Sequence, residues 1–283
     1  MTRFNAAWLV VNRGSGSNSP DAVESLAACF AEHGIAIERR ICFPEDSLPT
    51  ADALDAAGIG LLAIYTGDGT INTTLRQLGD WSGTVLVLPG GTMNLLSGRL
   101  HGDSDNAEII RLVAAGGGEP RRVATLRCEA GVAFADCLAG PGTQWAEVRE
   151  AMREGDVLAM ASGAAEAVAE SLNAPGVRAA EPALGLREGY PLIELTPDDH
   201  GLGIKGYHAE GMGELAQHGW ALLKRQFRDG PHDDLGTARE IVLESRDGSP
   251  LSLLLDGEAA SAGAQVRFTV ASSACDLLAT RHG

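Results

Sequence analysis

Residues 60–70, Gly60-Leu-Leu-Ala-Ile-Tyr65-Thr66-Gly67-Asp68-Gly69-Thr70, run an apolar segment directly into a glycine turn. An unbroken apolar run of this length suits a parallel strand covered on both faces. The following residues predict a helix from Ile71 to Leu78, capped by Thr70 and ended by Gly79. The next segment repeats the plan: Thr84 to Leu88 reads as a strand, Pro89-Gly90-Gly91-Thr92 as a turn, and Met93 to Leu100 as a helix. Upstream, Ala6 to Val11 is another buried strand, followed by a polar turn from Asn12 to Asn18. Ser19 is a natural N-cap with Pro20 in the first helical position, and Val23, Leu26, Ala27 and Phe30 recur at helical spacing until Gly34. Ile35 to Phe43 predicts a strand, Ala51 to Ala57 a short helix, and Asp105 caps a helix over Ala107 to Ala115. Strands alternating with helices define an α/β domain with a parallel sheet.

Gly116-Gly-Gly-Glu-Pro120 reads as the exit from that domain. Beyond Arg121 the segments shorten and alternate, as in Val123 to Glu129 and Ile241 to Ser245, with helical stretches near Trp145 to Arg153 and Ala164 to Leu172. This predicts a second, β-rich domain with antiparallel sheet over residues 121–271, after a first domain over residues 1–120. The chain of 283 residues is long enough for two such domains.

Composition narrows the function classes. Hydrophobic residues make up 45% and charged residues 21%, the balance of a globular protein. A formal net charge of −16 repels nucleic acid and anionic bilayers, which demotes nucleic-acid binding. The compact basic clusters Arg39-Arg40, Arg121-Arg122 and Lys224-Arg225 are too short to reverse this. The 5 cysteines form an odd, widely spaced set without Cys-x-x-Cys, so neither a disulfide framework nor a zinc site is indicated, and a reducing, cytoplasmic location is expected. The 7 histidines show no metal-ligand spacing. No signal-peptide pattern and no membrane-length apolar run occurs, so any membrane contact is expected to be peripheral.

The chemistry gathers at the glycine turns. Each connects a buried strand to a helix, so both fall at carboxyl ends of strands in one parallel sheet, where ligands bind. Glycines at 67, 69, 90 and 91 let backbone approach a phosphate closely, and the helices that follow Thr70 and Thr92 present free N–H groups. Asp68 repels phosphate unless a cation or a transferable proton stands between them, which implies Mg2+, general-base duty, or both. Asn12-Arg13-Gly14-Ser15-Gly16 ends the first strand and offers donors to the same ligand. No Walker A loop is present, and the two glycine turns carry no Gly-x-Gly-x-x-Gly fingerprint. Taken alone, Asp256-Gly257-Glu258 after a strand from Leu251 to Leu255 reads as a hairpin turn.

Taken together, Asn12-x-x-Ser15-Gly16, Thr66-Gly67-Asp68-Gly69-Thr70, Leu88-Pro89-Gly90-Gly91-Thr92-Met93-Asn94 and Asp256-Gly257-Glu258 resemble the catalytic-domain family of diacylglycerol and sphingosine kinases. Pro197-Asp198-Asp199 with Gly201-Leu202-Gly203-Ile204 also resembles that family's proline-and-acid turn before a late strand, whereas Cys128 to Glu194 matches weakly. The resemblance implies an NAD kinase/diacylglycerol kinase-like α/β nucleotide domain, a β-sandwich-like C-terminal domain, and a tail of about residues 272–283 that returns to the first domain. It also implies a cleft holding Mg-ATP and a lipid hydroxyl at a membrane surface. By the same analogy Asn12, Ser15, Gly16, Thr66, Gly67, Gly69, Thr70, Gly90, Gly91, Thr92 and Asn94 bind the nucleotide. Asp68 would manage Mg2+, and Glu258, supported by Asp256, would be the base for the hydroxyl, with Asp68 open as the alternative base. The chain departs from the family pattern at three places: Arg13 follows Asn12, Thr66 replaces the first signature glycine, and Leu95-Leu96 replace an Asp-Phe pair.

Two further readings stand beside the lipid kinase. One is a soluble-metabolite kinase resembling NAD kinase, which uses a similar Gly-Gly-Asp turn. The other is a nucleotide- or lipid-binding sensor without turnover.

Overall fold

The computed structural model describes residues 4–12, 14, 19–144, 176–208 and 231–281. The helical stretches expected over residues 145–153 and 164–172, the cluster Lys224-Arg225, and Ser15 and Gly16 lie outside the described residues. The chain divides into two compact units, Met1–Val123 with Ser272–Gly283, and Ala124–Ala271.

In the first unit the strands are β1 (Ala6–Asn12), β2 (Ala36–Phe43), β3 (Leu61–Thr66), β4 (Thr84–Pro89) and β5 (Glu119–Arg121), with helices α1 (Pro20–Glu32), α2 (Ala51–Ala56), α3 (Asp68–Leu78), α4 (Leu95–His101) and α5 (Asn106–Ala114). The second unit contributes β6 (Ala124–Cys128), β7 (Gly131–Ala133), β8 (Cys137–Ala139), β9 (Val177–Glu181), β10 (Leu192–Pro197), β11 (Leu202–Tyr207), β12 (His232–Ala238), β13 (Glu240–Ser245), β14 (Leu251–Leu255), β15 (Glu258–Ala262) and β16 (Gln265–Ser272). β17 (Asp276–Ala279) closes the chain.

Among the described residues the first unit holds a six-stranded sheet in the order β2-β1-β3-β4-β17-β5. All its pairings are parallel except that of β17 with β5. Every residue of β3 is buried, as its apolar run requires, because helices cover both faces. Leu9, Val11, Ala63, Tyr65, Leu86 and Leu88 form one core with Leu26 and Phe30 of α1 and Ile109, Ile110 and Val113 of α5. The alternate residues Val10, Leu62, Ile64, Val85 and Val87 are equally buried. The predicted caps of α1 and α5 are made: Ser19 accepts from Ala22 N–H at 3.2 Å and Asp105 from Glu108 N–H at 2.8 Å. The stretch that reads as a domain exit ends instead in edge strand β5, since β17 comes back to pair with it and with β4.

The returning tail also grips α4. Thr280 and Arg281 N–H both donate to the Leu100 carbonyl, at 3.2 and 3.1 Å, and His101 Nδ1 meets Thr280 Oγ1 at 2.9 Å. Burial pulls the His101 imidazole down from 6.5 to about 4, with the Val87 backbone opposing the shift. Above pH 6.5 the ring is neutral in folded and unfolded chains alike. As pH falls toward 4 only the unfolded chain takes up the proton, so the stability held by the neutral ring is lost through that window. The loss is on the order of a few kcal/mol. A His101→Gln variant is expected to lack this component. It should narrow the gap between unfolding free energies measured at pH 7 and pH 4.5 relative to the parent, and an unchanged gap would show that His101 does not titrate in this way.

In the second unit two sheets lie face to face among the described residues, in the orders β12-β11-β10-β8-β14-β15 and β7-β6-β16-β13-β9. The pairings β10 with β11 and with β8, β11 with β12, β14 with β8 and β15, β13 with β16 and β9, and β6 with β7 are antiparallel. A single core draws Leu195, Ile204, Leu253 and Leu255 from the first sheet and Leu126, Leu243, Val266 and Phe268 from the second. This is sandwich packing of two inner faces. The proline-and-acid turn joins β10 to β11, where Asp198 accepts from His200 and Gly201 N–H at 2.6 and 2.9 Å.

Candidate functional site

β1, β3 and β4 end level with one another: Val11 pairs with Tyr65, and Thr66 with Pro89. The three turns that follow therefore emerge side by side at the carboxyl edge of the sheet. Asn12, at the end of β1, donates from Nδ2 to Thr70 Oγ1 at 3.0 Å, joining the first turn to α3. The two glycine turns touch through backbone. A Cβ on Gly90 would stand 2.7 Å from the Thr66 nitrogen, and one on Gly91 would stand 2.7 Å from Gly67 Cα. No side chain fits at either position, so glycine is required here for close backbone approach.

Helix α3 begins at Asp68, not at Ile71, and Gly67 precedes it in extended conformation without a side-chain cap bond. Thr70 thus lies inside the first turn and caps nothing; its hydroxyl accepts from Asn12 instead. The consequence is that Asp68 sits at the positive end of α3, where a carboxylate is stabilised by the helix dipole.

Asp68 is buried, and its two oxygens accept from Leu95 and Leu96 N–H, both at 3.3 Å. These are the first N–H groups of α4, which starts at Leu95 and not at Met93. Asn94 precedes α4 in the left-handed region (φ 52°) and does not cap it. Its amide turns back into the glycine turn, accepting from Gly91 N–H at 2.8 Å and donating to the Gly91 carbonyl at 3.0 Å. The cap of α4 is therefore supplied from the other turn by Asp68. Substituting Asp68 by alanine is expected to lower stability by about 1–2 kcal/mol, the usual worth of a helix cap, with asparagine recovering part of it. Thermal unfolding of the two variants checks this, and an Asp68→Ala midpoint equal to the parent's would remove the capping role.

The structure thus brings Asn12, Thr66, Gly67, Asp68, Gly69, Thr70, Gly90, Gly91 and Asn94 to one edge, with Thr92 exposed beside them. Among the described residues no group of three or more His, Cys, Asp or Glu could hold a metal ion. Mg2+ arriving on nucleotide phosphates needs only one or two protein carboxylates.

Asp256 and Glu258 belong to the second unit. Asp256 (φ 51°) and Gly257 (φ 84°) form the two-residue turn between β14 and β15, with Leu255 paired to Glu258. Two successive positive φ values mark a type I′ turn, which Asp-Gly favours. The Asp256 carboxylate is buried and accepts three backbone N–H groups: Phe134 at 2.7 Å, Ala135 at 2.7 Å and Asp136 at 3.0 Å. Its own N–H donates to the Asp136 carbonyl at 2.9 Å. Asp256 therefore fixes the hairpin, and Glu258 starts the next strand with its side chain exposed. Sequence spacing could not reveal these partners, since nothing local marks residues 134–136 as donors.

Residues 6–127 match the family model described as diacylglycerol kinase catalytic domain, so this part of the chain is similar to that family. A candidate diacylglycerol kinase from Bacillus anthracis str. Sterne is 16% identical, with a TM-score of 0.60 over 99% of this chain and 96% of that one. A diacylglycerol kinase structure from the same organism is 15% identical, with a TM-score of 0.59 over 99% and 98%. At these identities the likeness shows a shared fold. No curated protein matches the chain. Among the described residues no helix is long and apolar enough to cross a membrane.

Proposed function

We propose that the protein is an ATP- and Mg2+-dependent lipid kinase that phosphorylates a primary hydroxyl of diacylglycerol or a related lipid such as a sphingoid base. The observation that supports it best is the junction of the two glycine turns, where Gly90 and Gly91 lie against Thr66 and Gly67 and Asp68 bridges to α4. A backbone surface without side chains, at the ends of parallel strands, suits the phosphates of a nucleotide.

Phosphoryl transfer needs placement, charge neutralisation and a group near the nucleophile. Asn12, Thr66, Gly67, Gly69, Thr70, Gly90, Gly91, Thr92 and Asn94 would place the nucleotide. Asp68 would hold Mg2+ that comes with ATP, and the ion would supply neutralisation of phosphate charge. Glu258 would take the proton of the lipid hydroxyl as its oxygen bonds to the γ-phosphorus and ADP leaves. Asp256 would keep Glu258 in position. The enzyme would work in the cytoplasm, touching the membrane peripherally to reach its substrate.

The test is transfer of radiolabel from γ-labelled ATP to a panel of diacylglycerol, sphingoid base and NAD, with and without Mg2+. A labelled phospholipid formed only with Mg2+ is the expected result. Labelling of NAD alone would select a soluble-metabolite kinase, and ATP binding without transfer to any acceptor would select a sensor.

A further inference from the structure

A cavity of about 510 Å3 in the second unit is lined by Arg178, Arg187, Glu188, Glu244 and Arg246. None of these residues belongs to the glycine turns or to the Asp256 hairpin. Three guanidinium groups share one cavity with two carboxylates, leaving one positive charge in excess in a chain whose net charge is −16. Clustered like charges repel, so a persistent cluster of this kind calls for a counter-charge.

The frame that holds the arginines is rigid backbone. Arg178 lies on β9, the outer strand of its sheet. Segment 182–189 folds back along that edge, with Val177 and Tyr190 exchanging N–H to carbonyl bonds at 2.8 Å in both directions. Gly189, with φ 82°, packs so closely that a Cβ would stand 2.6 Å from the Val177 carbonyl oxygen. The Tyr190 hydroxyl accepts from Leu186 N–H at 3.2 Å and donates to Asp233 at 2.8 Å. Burial, then the bond to Asp233, push this phenol up to about 12, so the anchor keeps its proton across the working range. Arg246 N–H donates to the Gly176 carbonyl at 3.1 Å, and its guanidinium donates to the Arg187 carbonyl at 3.0 Å. The loop is thus tied at both ends, and Arg187 is held beside Arg178 and Arg246.

Their donors remain largely unused. Arg178 gives one N–H to Glu244 at 3.0 Å, and its Nε is buried with no hydrogen-bond partner among the described residues. The guanidinium of Arg187 has no partner among the described residues. A guanidinium carries five N–H donors in a planar fork that matches phosphate oxygens in pairs. A phosphomonoester, with several terminal oxygens and a charge near −2, satisfies such a set better than one carboxylate. Glu188 and Glu244 would accept from hydroxyl groups carried on the same ligand.

We infer that the Arg178, Arg187 and Arg246 cavity is a binding site for a phosphomonoester bearing hydroxyl donors, separate from the nucleotide turns. This inference does not depend on the acceptor lipid or on catalytic activity. The ligand chemistry is shared by soluble polyol phosphates and by monoester lipid headgroups, which the experiment separates.

The full chain is titrated calorimetrically with glycerol 3-phosphate, and in parallel sedimented with phosphatidylcholine vesicles with or without phosphatidic acid. Both series are repeated with the double variant Arg187→Gln, Arg246→Gln. Both side chains are exposed, and among the described residues the variant removes one side-chain bond, the exposed one from Arg246 to the Arg187 carbonyl, so its thermal midpoint is expected to stay close to the parent's. Loss of two charge-assisted contacts should weaken binding roughly tenfold or more. Saturable glycerol 3-phosphate binding lost in the variant supports a soluble ligand, and vesicle binding that needs phosphatidic acid and is lost in the variant supports a headgroup. Absence of both, or equal binding by parent and variant, overturns the site. An Arg178→Lys variant supplies the second reading: it keeps charge without the fork, and binding unchanged from the parent would also overturn guanidinium recognition.

Discussion

Replacing Asp256 by alanine is expected to destabilise the second unit by about 3–5 kcal/mol, the cost of leaving three buried N–H groups without their acceptor, each worth ~1–3 kcal/mol when unpaired, less what water recovers. The groups are those of Phe134, Ala135 and Asp136, held at 2.7, 2.7 and 3.0 Å. Alanine also has to occupy the positive φ of 51° that aspartate tolerates. Asparagine keeps one acceptor oxygen and accommodates that conformation, so Asp256→Asn is expected to lose about 2 kcal/mol. Urea unfolding, followed by a probe in the second unit, gives the difference from the midpoint at constant slope. A shift below ~1 kcal/mol for alanine would mean that the 134–136 backbone finds other partners, and Asp256 would lose its place as the anchor of the hairpin.

The order of these effects reflects what a sequence can and cannot disclose. The buried strands of the first unit were legible because an unbroken apolar run such as Leu61 to Tyr65 has one economical use in an α/β sheet. The caps Ser19 and Asp105 were legible because a cap and its N–H lie three residues apart. The close approach of the two glycine turns was legible, since glycine at 90 and 91 removes side chains from the place where strands end. Asp68 was singled out, but its partners Leu95 and Leu96 lie beyond a helix and a strand, and no local pattern announces that one turn caps the helix after the other. Loss of an acidic residue at position 95 was visible; that its backbone N–H would be held by Asp68 was not. The same reason hid the 134–136 segment from Asp256, and the arginine cavity, which three separate stretches assemble. Thr70 misled in the opposite direction: a threonine before an apolar helix looks like a cap, yet Gly67 in extended conformation lets α3 start at Asp68.

Glu258→Gln should reduce phosphate transfer to the lipid by about 10²–10⁴-fold, the usual contribution of a positioned general base. Glutamine preserves size and hydrogen-bonding reach but cannot accept the hydroxyl proton. Because Glu258 is exposed at the first position of β15, its replacement breaks no buried contact, and the unfolding midpoint should match the parent's. The nucleotide turns belong to the other unit, so ATP affinity should be unchanged, which places the loss in kcat. Asp256→Asn supplies the comparison, since its damage comes through the hairpin: it should lower transfer together with stability. Parent-like turnover by Glu258→Gln would remove the residue from the mechanism and pass the proton to Asp68. In that case Asp68→Asn, which retains part of the α4 cap, should abolish transfer while costing little stability. Loss of kcat in Glu258→Gln with unchanged stability assigns the base to Glu258, whereas for Asp68→Asn the Mg2+ dependence of transfer has to separate a metal role from a proton role.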